Sequence, residues 1–448
     1  MSQFLKSLSE KLINKANQLG TTAAESVVMS SKSKSIELKN GNIEKIETSE
    51  KLNVGIRVFF GKQSAAVSIS SQEDKAQEEM ITRAIAMAKE TPPDEFSHLA
   101  EKGQFSENLN SQKLDLFDKK YYELDASTLK VLATDIEKSC LKAEGINHAE
   151  SGVQYNLSNF HMASSNGFSN GYAQTSFQMF CTAIAEKDSL MERDFAVETR
   201  VLFNDLPPAE LVGDVAAARA IARLDPKTPP TGSFPVLFDE RVSNSLVQHL
   251  VSAINGAAIS RGSSWLLDCL GENILPKNIS LIEDPKRSEI VGSRPFDAEG
   301  LPTQKQTFVE NGILKNLVLD LRSAKKLNLK PTGNAYRTSA FPPYPGVGNL
   351  ELSCSNNSRS DLIKKMKTGF LVTSLIGSSV NQNNGDYSRG ASGFWINDGE
   401  IAFPVNRCTI AGNLKKMLSG LITANDVKNH KSLRIPSILI EKMIVAGK

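Results

Sequence analysis

The sequence predicts an α+β chain in two parts: a helix and antiparallel meander in the amino-terminal half, then a strand-rich carboxy-terminal half. Three observations predict this fold class: helical and strand periodicities mix without a fixed repeat, hairpin signals recur, and a proline-rich segment interrupts the 448 residues. This length accommodates roughly two or three domains. The segment DPKTPPTG cannot extend a helix, so we predict an amino-terminal domain over 1–228 and a carboxy-terminal domain over 229–448.

The first elements alternate between the two periodicities. Apolar residues recur at three- and four-residue steps over 4–19, which predicts a helix that ends at Gly20. Period-two alternation then predicts antiparallel strands, with a tight hairpin at Asn40-Gly41. Residues 72–90 predict a second helix, because acidic residues lie in its first turn and Lys89 near its end.

A long polar connection follows this meander. Residues 91–125 contain Pro92-Pro93 and few apolar repeats, so they predict a connection and a possible internal seam. A helix over 126–143, short strands over 147–203 and a helix over 208–223 complete the first half.

The second half begins with an apolar strand. Phe234–Phe238 predicts that strand, and residues 240–258 predict a single helix after it. Asn311-Gly312 lies between two short apolar runs and predicts a further hairpin. Residues 376–393 are rich in glycine and predict turns.

Charge and composition exclude several classes of protein. Lys plus Arg number 52 and Asp plus Glu 50, so the net charge of +2 argues against direct nucleic-acid binding. No apolar run reaches the roughly 18 residues of a membrane span, and the amino terminus lacks the apolar core of a secretory signal. We therefore expect a cytoplasmic chain without membrane contact, whose five scattered cysteines are reduced.

No catalytic set is evident from the residues alone. The five histidines lie too far apart in sequence for a zinc helix motif, and no nucleophile elbow or phosphate-binding loop is present. His249 has no carboxylate neighbour in sequence, which is typical of a surface or core residue. Cys408 lies in an apolar strand, which favours core packing. The acidic pairs Asp239-Glu240 and Glu283-Asp284 are expected to be solvated loop residues.

The segment GDYSRGASGFW (385–395) is the most unusual local feature. Its glycines let the backbone approach a ligand closely, and Arg389 offers a fork for a carboxylate. Asp386, Tyr387 and Ser388 add hydrogen-bonding groups. The segment is either a loop that grips a substrate main chain or terminus, or a structural turn before the strand at 394–396. The residues alone favour neither alternative.

Several segments resemble the PmbA/TldE branch of the TldD/PmbA family. They are VGIRVFFGKQSA (54–65), MERDF (191–195), EGLPTQKQTFVENGILKNLVLD (299–320), KPTGNAYR (330–337), GDYSRGASGFWINDGEIAFPV (385–405) and TIAGNLKKML (409–418). The resemblance covers nearly the whole chain and implies a cytosolic protease system that acts on peptides. In that family the TldD subunit binds zinc through a His-Glu-x-x-x-His motif and a cysteine, and TldE-type chains lack the motif.

The resemblance also locates the degenerate zinc positions in this chain. If the segment 261–264 matches the stretch after the TldD motif, the ligand helix lies at 247–252. The two histidine positions and the glutamate position then hold Val247, Ser252 and Gln248. Valine cannot ligate zinc and glutamine is not a general base, so we expect no metal on this chain and zinc on a TldD-type partner.

These observations imply the non-zinc subunit of a heteromeric TldD/TldE-type metalloprotease, which holds an extended peptide in a shared cavity. No catalytic residue is predicted. Asp386, Tyr387, Ser388 and Arg389 are the predicted substrate contacts. Three alternatives remain open: an autonomous hydrolase without zinc, a stand-alone peptide-binding homodimer, and a protein regulator of a DNA topoisomerase such as gyrase.

Overall fold

A six-stranded sheet and its helices form the first half of the chain. The computed structural model describes residues 2–105 and 114–447. The elements of the first half are α1 (Ser2–Gln18), β1 (Ala23–Lys39), β2 (Asn42–Phe60), β3 (Gln63–Ile69), α2 (Asp74–Glu90), α3 (Ala126–Leu141), β4 (Ile146–Ser164), β5 (Ser169–Lys187), β6 (Leu190–Arg200) and α4 (Ala209–Ile221).

The strand order in this sheet is β3-β2-β1-β4-β5-β6, and every neighbouring pair is antiparallel. β3 and β6 are therefore its two edges. The hairpin between β1 and β2 turns at Asn40 and Gly41, whose φ angles of 49° and 80° suit these residue types. The predicted α+β class and the predicted meander are confirmed.

The prediction of short strands over 147–203 is wrong. β4 and β5 each run for 19 residues. Both strands pair with a neighbour on each side, so polar residues such as Asn156 and Ser158 continue the ladder instead of ending it. Residues 91–105 and 114–125 carry no helix or strand, as predicted for the connection, and residues 106–113 lie outside the described residues. The boundary at 228/229 stays a prediction.

The second half combines a barrel with a smaller sheet. Its elements are β7 (Gly232–Phe238), α5 (Glu240–Ala253), α6 (Gly256–Ser260), β8 (Leu281–Glu283), β9 (Gln306–Glu310), β10 (Ile313–Leu314), α7 (Leu321–Lys326), β11 (Ala335–Tyr336), β12 (Tyr344–Pro345), β13 (Leu350–Leu352), α8 (Arg359–Met366), β14 (Gly369–Val380), β15 (Asp386–Asn397), β16 (Glu400–Asn413), α9 (Leu414–Ser419), β17 (Ile422–Thr423), β18 (Leu433–Arg434) and β19 (Ile438–Gly447).

The barrel closes because β16 pairs with both β15 and β19. The order β16-β15-β14-β7-β19 then returns to β16, and within it only the pairing of β14 with β7 is parallel. Closure removes the free edges of these strands. The second sheet has the order β10-β9-β8-β13-β18. α5 packs on the barrel, and its Leu246 and Leu250 share one buried cluster with Phe238 and Trp395.

The predicted single helix over 240–258 is wrong at its end. α5 stops at Ala253, and Ile254 leaves the helical conformation with φ −91° and ψ 9°. The side chain of Asn255 then accepts a hydrogen bond from the backbone N–H of Ala257 at 3.0 Å. Asparagine favours this capping role, so it starts the separate short helix α6.

A buried ion cluster joins the two halves. Glu25 on β1 lies 3.2 Å from Arg57 on β2 and 3.0 Å from Arg337, which directly follows β11. All three side chains are at most 6% exposed. The backbones also meet closely here, because a Cβ atom on Gly55 would lie 2.0 Å from the carbonyl oxygen of Ser339. The first sheet therefore docks on the second half through charge and close backbone contact.

Asp297 gives this fold a pH-dependent stability. Burial raises the pKa of its carboxyl to about 6. The backbone N–H groups of Glu299, Leu301 and Ala335 donate hydrogen bonds to it and lower the pKa, but they offset only part of the effect of burial. The unfolded pKa is about 3.9, so between the two values the folded state holds more protons. We expect the free energy of unfolding to fall by about 2 kcal/mol as pH rises from 4 to 7, and the neighbouring Glu299, whose pKa burial also raises, adds to the fall.

Urea unfolding at several pH values measures this dependence. In the Asp297→Asn variant the side chain no longer titrates, so the slope between pH 4 and 6 should flatten. An identical slope in the variant and the wild type would show that Asp297 is not its source.

Candidate functional site

The helix at the predicted zinc position, α5, does not present a zinc site. Asp239 caps its first turn and accepts a hydrogen bond from the backbone N–H of Arg241 at 3.2 Å. Val247 is 2% exposed and packs in the core, whereas Gln248 and Ser252 are exposed. The hydroxyl of Ser252 donates to the carbonyl oxygen of Gln248 at 2.9 Å. Gln248 and Ser252 lie four residues apart on the exposed face of the helix, whereas Val247 faces the core, so the three side chains do not converge and supply no metal-ligand set.

His249 is the remaining imidazole on this helix, and its surroundings disfavour a cation. Burial lowers its pKa, and the nearby positive charge of Arg389 lowers it further. A metal ion here would face that guanidinium charge without a carboxylate to balance it. Among residues 2–105 and 114–447, no group of three or more His, Cys, Asp or Glu side chains is placed to hold a metal ion. The residues present do not fit zinc.

The segment 385–395 is a strand and not the predicted loop or turn. β15 begins at Asp386, directly after Gly385, whose φ of 79° makes the turn. It pairs along its length with β14 and β16, so its glycines lie within a barrel wall. Gly393 is required there, because a Cβ atom would lie 1.9 Å from the carbonyl oxygen of Leu371.

Strand alternation separates the four predicted contacts into two pairs. Tyr387 and Arg389 point towards the core side, whereas Asp386 and Ser388 are exposed on the other face. The carboxylate of Asp386 accepts hydrogen bonds from the side-chain amides of Asn384 at 2.8 Å and Asn413 at 3.1 Å. Asp386 thus secures the turn before β15. A substrate role for these residues stays a prediction.

Tyr387 and Arg389 meet His249. The rings of His249 and Tyr387 lie 5.9 Å apart at 75°, an edge-to-face contact. Burial raises the pKa of Tyr387 to about 12, although the charge of Arg389 and its hydrogen bond with the hydroxyl oppose this shift. At neutral pH this group therefore holds a neutral imidazole, a protonated phenol and one fixed positive charge.

A cleft lies between the two halves, and sequence reasoning did not find it. It has a volume of about 650 Å³. β6 and α4 form one wall, and the first turns of α5 together with residues 428–433 form the other. Edge strand β6 exposes Phe195 and Val197 to this space. The carbonyl oxygen of Phe195 accepts a hydrogen bond from Arg219 at 2.9 Å.

An ion network lies beside this cleft, and its Arg241 lines the cleft wall. Arg241 contacts Asp194 of β6 at 3.0 Å and Asp239 at 3.2 Å, and Arg359 contacts Asp239 at 2.9 Å. The prediction that the acidic pairs are solvated is therefore wrong at two positions, because Asp239 is 5% and Glu283 1% exposed. In the sequence, the one signal that pointed to β6 was its segment MERDF (191–195), which resembles the TldD/PmbA family.

Cys408 lies in the core, as its apolar strand predicted. Cys408 is 2% exposed, and its thiol lies 3.3 Å from the carbonyl oxygen of Ala391, which confirms its core position. Burial raises the pKa of this thiol to about 12. Within the described ranges, no helix combines the length and apolar character needed to cross a membrane.

Comparison with known proteins decides the family. "Metalloprotease PmbA" of Escherichia coli O157:H7 is 33% identical over 99% of this chain and 97% of its own length. The chain belongs to the PmbA/TldD family. Family models for the PmbA/TldA metallopeptidase match domain 1 at residues 24–88, the central domain at 119–224 and the C-terminal domain at 231–447.

Other PmbA/TldD members agree with this assignment. "Metalloprotease PmbA homolog" of Haemophilus influenzae is 32% identical over 96% of this chain and 94% of its own length. A solved structure from Bacteroides thetaiotaomicron, a candidate modulator of DNA gyrase, matches with a TM-score of 0.91, 25% identity and 99% coverage of both chains. The TldE structure from Thermococcus kodakarensis shares the fold, with a TM-score of 0.84, 23% identity and coverage of 98% and 99%.

Proposed function

We propose that this chain is the TldE-type, non-zinc subunit of a heteromeric metalloprotease that acts on extended or unfolded peptides. One observation carries the proposal: in a family of metallopeptidases, the helix at the expected ligand position holds Val247 in the core and His249 beside a cation. Zinc and the attacking water would then come from a TldD-type partner. This chain would contribute partner contacts and part of the substrate cavity, in the cytoplasm.

The cleft supports an extended peptide as substrate. Edge strand β6 lines it over five consecutive residues, 195–199, and β18 at the edge of the second sheet reaches the opposite wall. An extended chain can pair with a strand edge through main-chain groups, which gives low sequence selectivity. Phe195 and Val197 would cover apolar side chains of such a peptide, and Arg219 and Lys428 would favour acidic ones.

Metal content and peptide cleavage, measured alone and in mixture, test this function. We expect sub-stoichiometric zinc by elemental mass spectrometry and no cleavage of reduced, carboxymethylated casein by the isolated chain. Cleavage should appear when a TldD-type subunit from the same genome is added, and should require zinc in that subunit.

The His249→Ala variant is the matched control, because it removes the one imidazole on α5. It should leave the zinc content of the mixture unchanged. Stoichiometric zinc in the isolated chain, loss of that zinc in His249→Ala, or cleavage without a partner would each contradict the proposal. An isolated dimer that retains casein without cutting it, even after the partner is added, would favour the peptide-binding homodimer instead.

A further inference from the structure

Three buried polar atoms near the start of β15 lack a hydrogen-bond partner among the described residues, and beside them the Tyr387 hydroxyl accepts a hydrogen bond from Arg389. Leaving buried donors unpaired is costly, and native structures contain few of them. A group of three near one another therefore indicates a missing ligand. The atoms are Nε2 of His249, Nε1 of Trp265 and Nε of Arg389.

The four side chains belong to one cluster. Tyr387 and Arg389 lie two residues apart on β15 and so emerge on the same face. His249 contacts the Tyr387 ring edge to face at 5.9 Å. The Trp265 indole packs against Gly385, where a Cβ atom would lie 3.4 Å from the ring. Trp265 and Tyr387 are 3% and 2% exposed, so their polar atoms are withdrawn from water.

The chemistry of this cluster selects an anion. An indole N–H and a guanidinium N–H can only donate, and the tyrosine hydroxyl can donate as well. Arg389 adds a positive charge. The nearest carboxylate on β15, Asp386, lies on the other face and already accepts from Asn384 and Asn413. Donors surrounding one fixed positive charge match the planar oxygens of a carboxylate.

We infer that His249, Tyr387 and Arg389, with Trp265 beside them, bind a carboxylate group of a peptide. The binding of an anion follows from these residues alone, and only its assignment to a peptide rests on the proposed function. A surface depression of about 490 Å³ reaches Tyr387 and is also lined by Ser379, Val380, Asn381, Asp386 and Ser388. The carboxylate is either the chain terminus or an acidic side chain.

Calorimetric titration of the full-length isolated chain tests the inference with three acetylated probes. They are acetyl-tetraalanine with a free carboxylate, its carboxy-terminal amide, and the amide acetyl-Ala-Ala-Glu-Ala. We expect at least one of the two carboxylate probes to bind roughly 10-fold or more tightly than the neutral amide. Tighter binding of the first identifies the chain terminus, and tighter binding of the third identifies an acidic side chain.

Variants then locate the site. Arg389→Met should weaken carboxylate binding roughly 10-fold or more. Arg389→Lys keeps the positive charge and should bind the carboxylate more tightly than Arg389→Met but less tightly than wild type. Tyr387→Phe should weaken carboxylate binding roughly 3-fold or more. Asn397→Ala, an exposed position at the far end of the same strand, is the control and should bind like wild type. Tyr387→Phe keeps the packed ring, so it remains informative where Arg389→Met does not fold.

Equal binding of all three probes, no binding of any, or wild-type affinity in both Tyr387→Phe and Arg389→Lys would overturn the inference. If the isolated chain binds carboxylate probes selectively but its mixture with the TldD-type subunit does not cleave casein, the site is upheld and the protease role is rejected. Active mixtures combined with unselective binding would reject the site alone.

Discussion

Replacement of Glu25 by alanine is expected to lower the free energy of unfolding by about 3–5 kcal/mol. The substitution removes the carboxylate between Arg57 and Arg337, which lie 3.2 Å and 3.0 Å away. Both guanidinium groups are almost fully buried and would lose their shared counter-ion without regaining water. Because Arg337 belongs to the second half, the loss should also loosen the docking of the first sheet.

Urea unfolding followed by circular dichroism measures this effect. Glu50→Ala is the matched control: Glu50 lies on β2, is 69% exposed and pairs with Lys32 at 3.3 Å. Its loss should change stability by less than about 0.5 kcal/mol. Glu25→Gln keeps the shape of the side chain but not its charge, and should fall between the two. Equal stability of Glu25→Ala and Glu50→Ala would show that the ion cluster contributes nothing.

Elements with a local signal were predictable from the sequence. The amphipathic helix α1 and the Asn40-Gly41 hairpin depend on neighbouring residues only, and both are confirmed. The lengths of β4 and β5 depend on partners far along the chain, which no local pattern displays. The glycines of β15 suggested a turn, yet the close approach of β14 requires one of them inside the strand.

The candidate site was likewise predictable only where its residues give a local signal in the sequence. Residues 386–389 were selected from their composition, but only the pairing of β15 shows that Tyr387 and Arg389 face one way and Asp386 and Ser388 the other. The contact with His249 joins residues more than 130 positions apart in sequence. The cleft beside β6 depends on how two separate sheets meet, and Asp239 became buried through that same arrangement.

Replacement of Asp239 by alanine is expected to cost about 2–4 kcal/mol of stability and to reduce cleavage by the mixed subunits. The side chain caps α5 and pairs with Arg241 and Arg359. The loss is limited because Arg359 is 39% exposed and can regain water, while Arg241 keeps Asp194. The first turn of α5, which lines the cleft, would nevertheless lose its cap and its link to Arg359 of α8.

Asp239→Asn separates the two roles of this side chain. Its amide oxygen can still accept the hydrogen bond that caps α5, but the charge that holds two arginines is gone. If the cap dominates, the asparagine variant should keep most of the wild-type stability and cleavage. If the ion network dominates, it should resemble Asp239→Ala in urea unfolding and in casein cleavage by the mixture. Wild-type behaviour of both variants would show that this network neither stabilises α5 nor shapes the cleft.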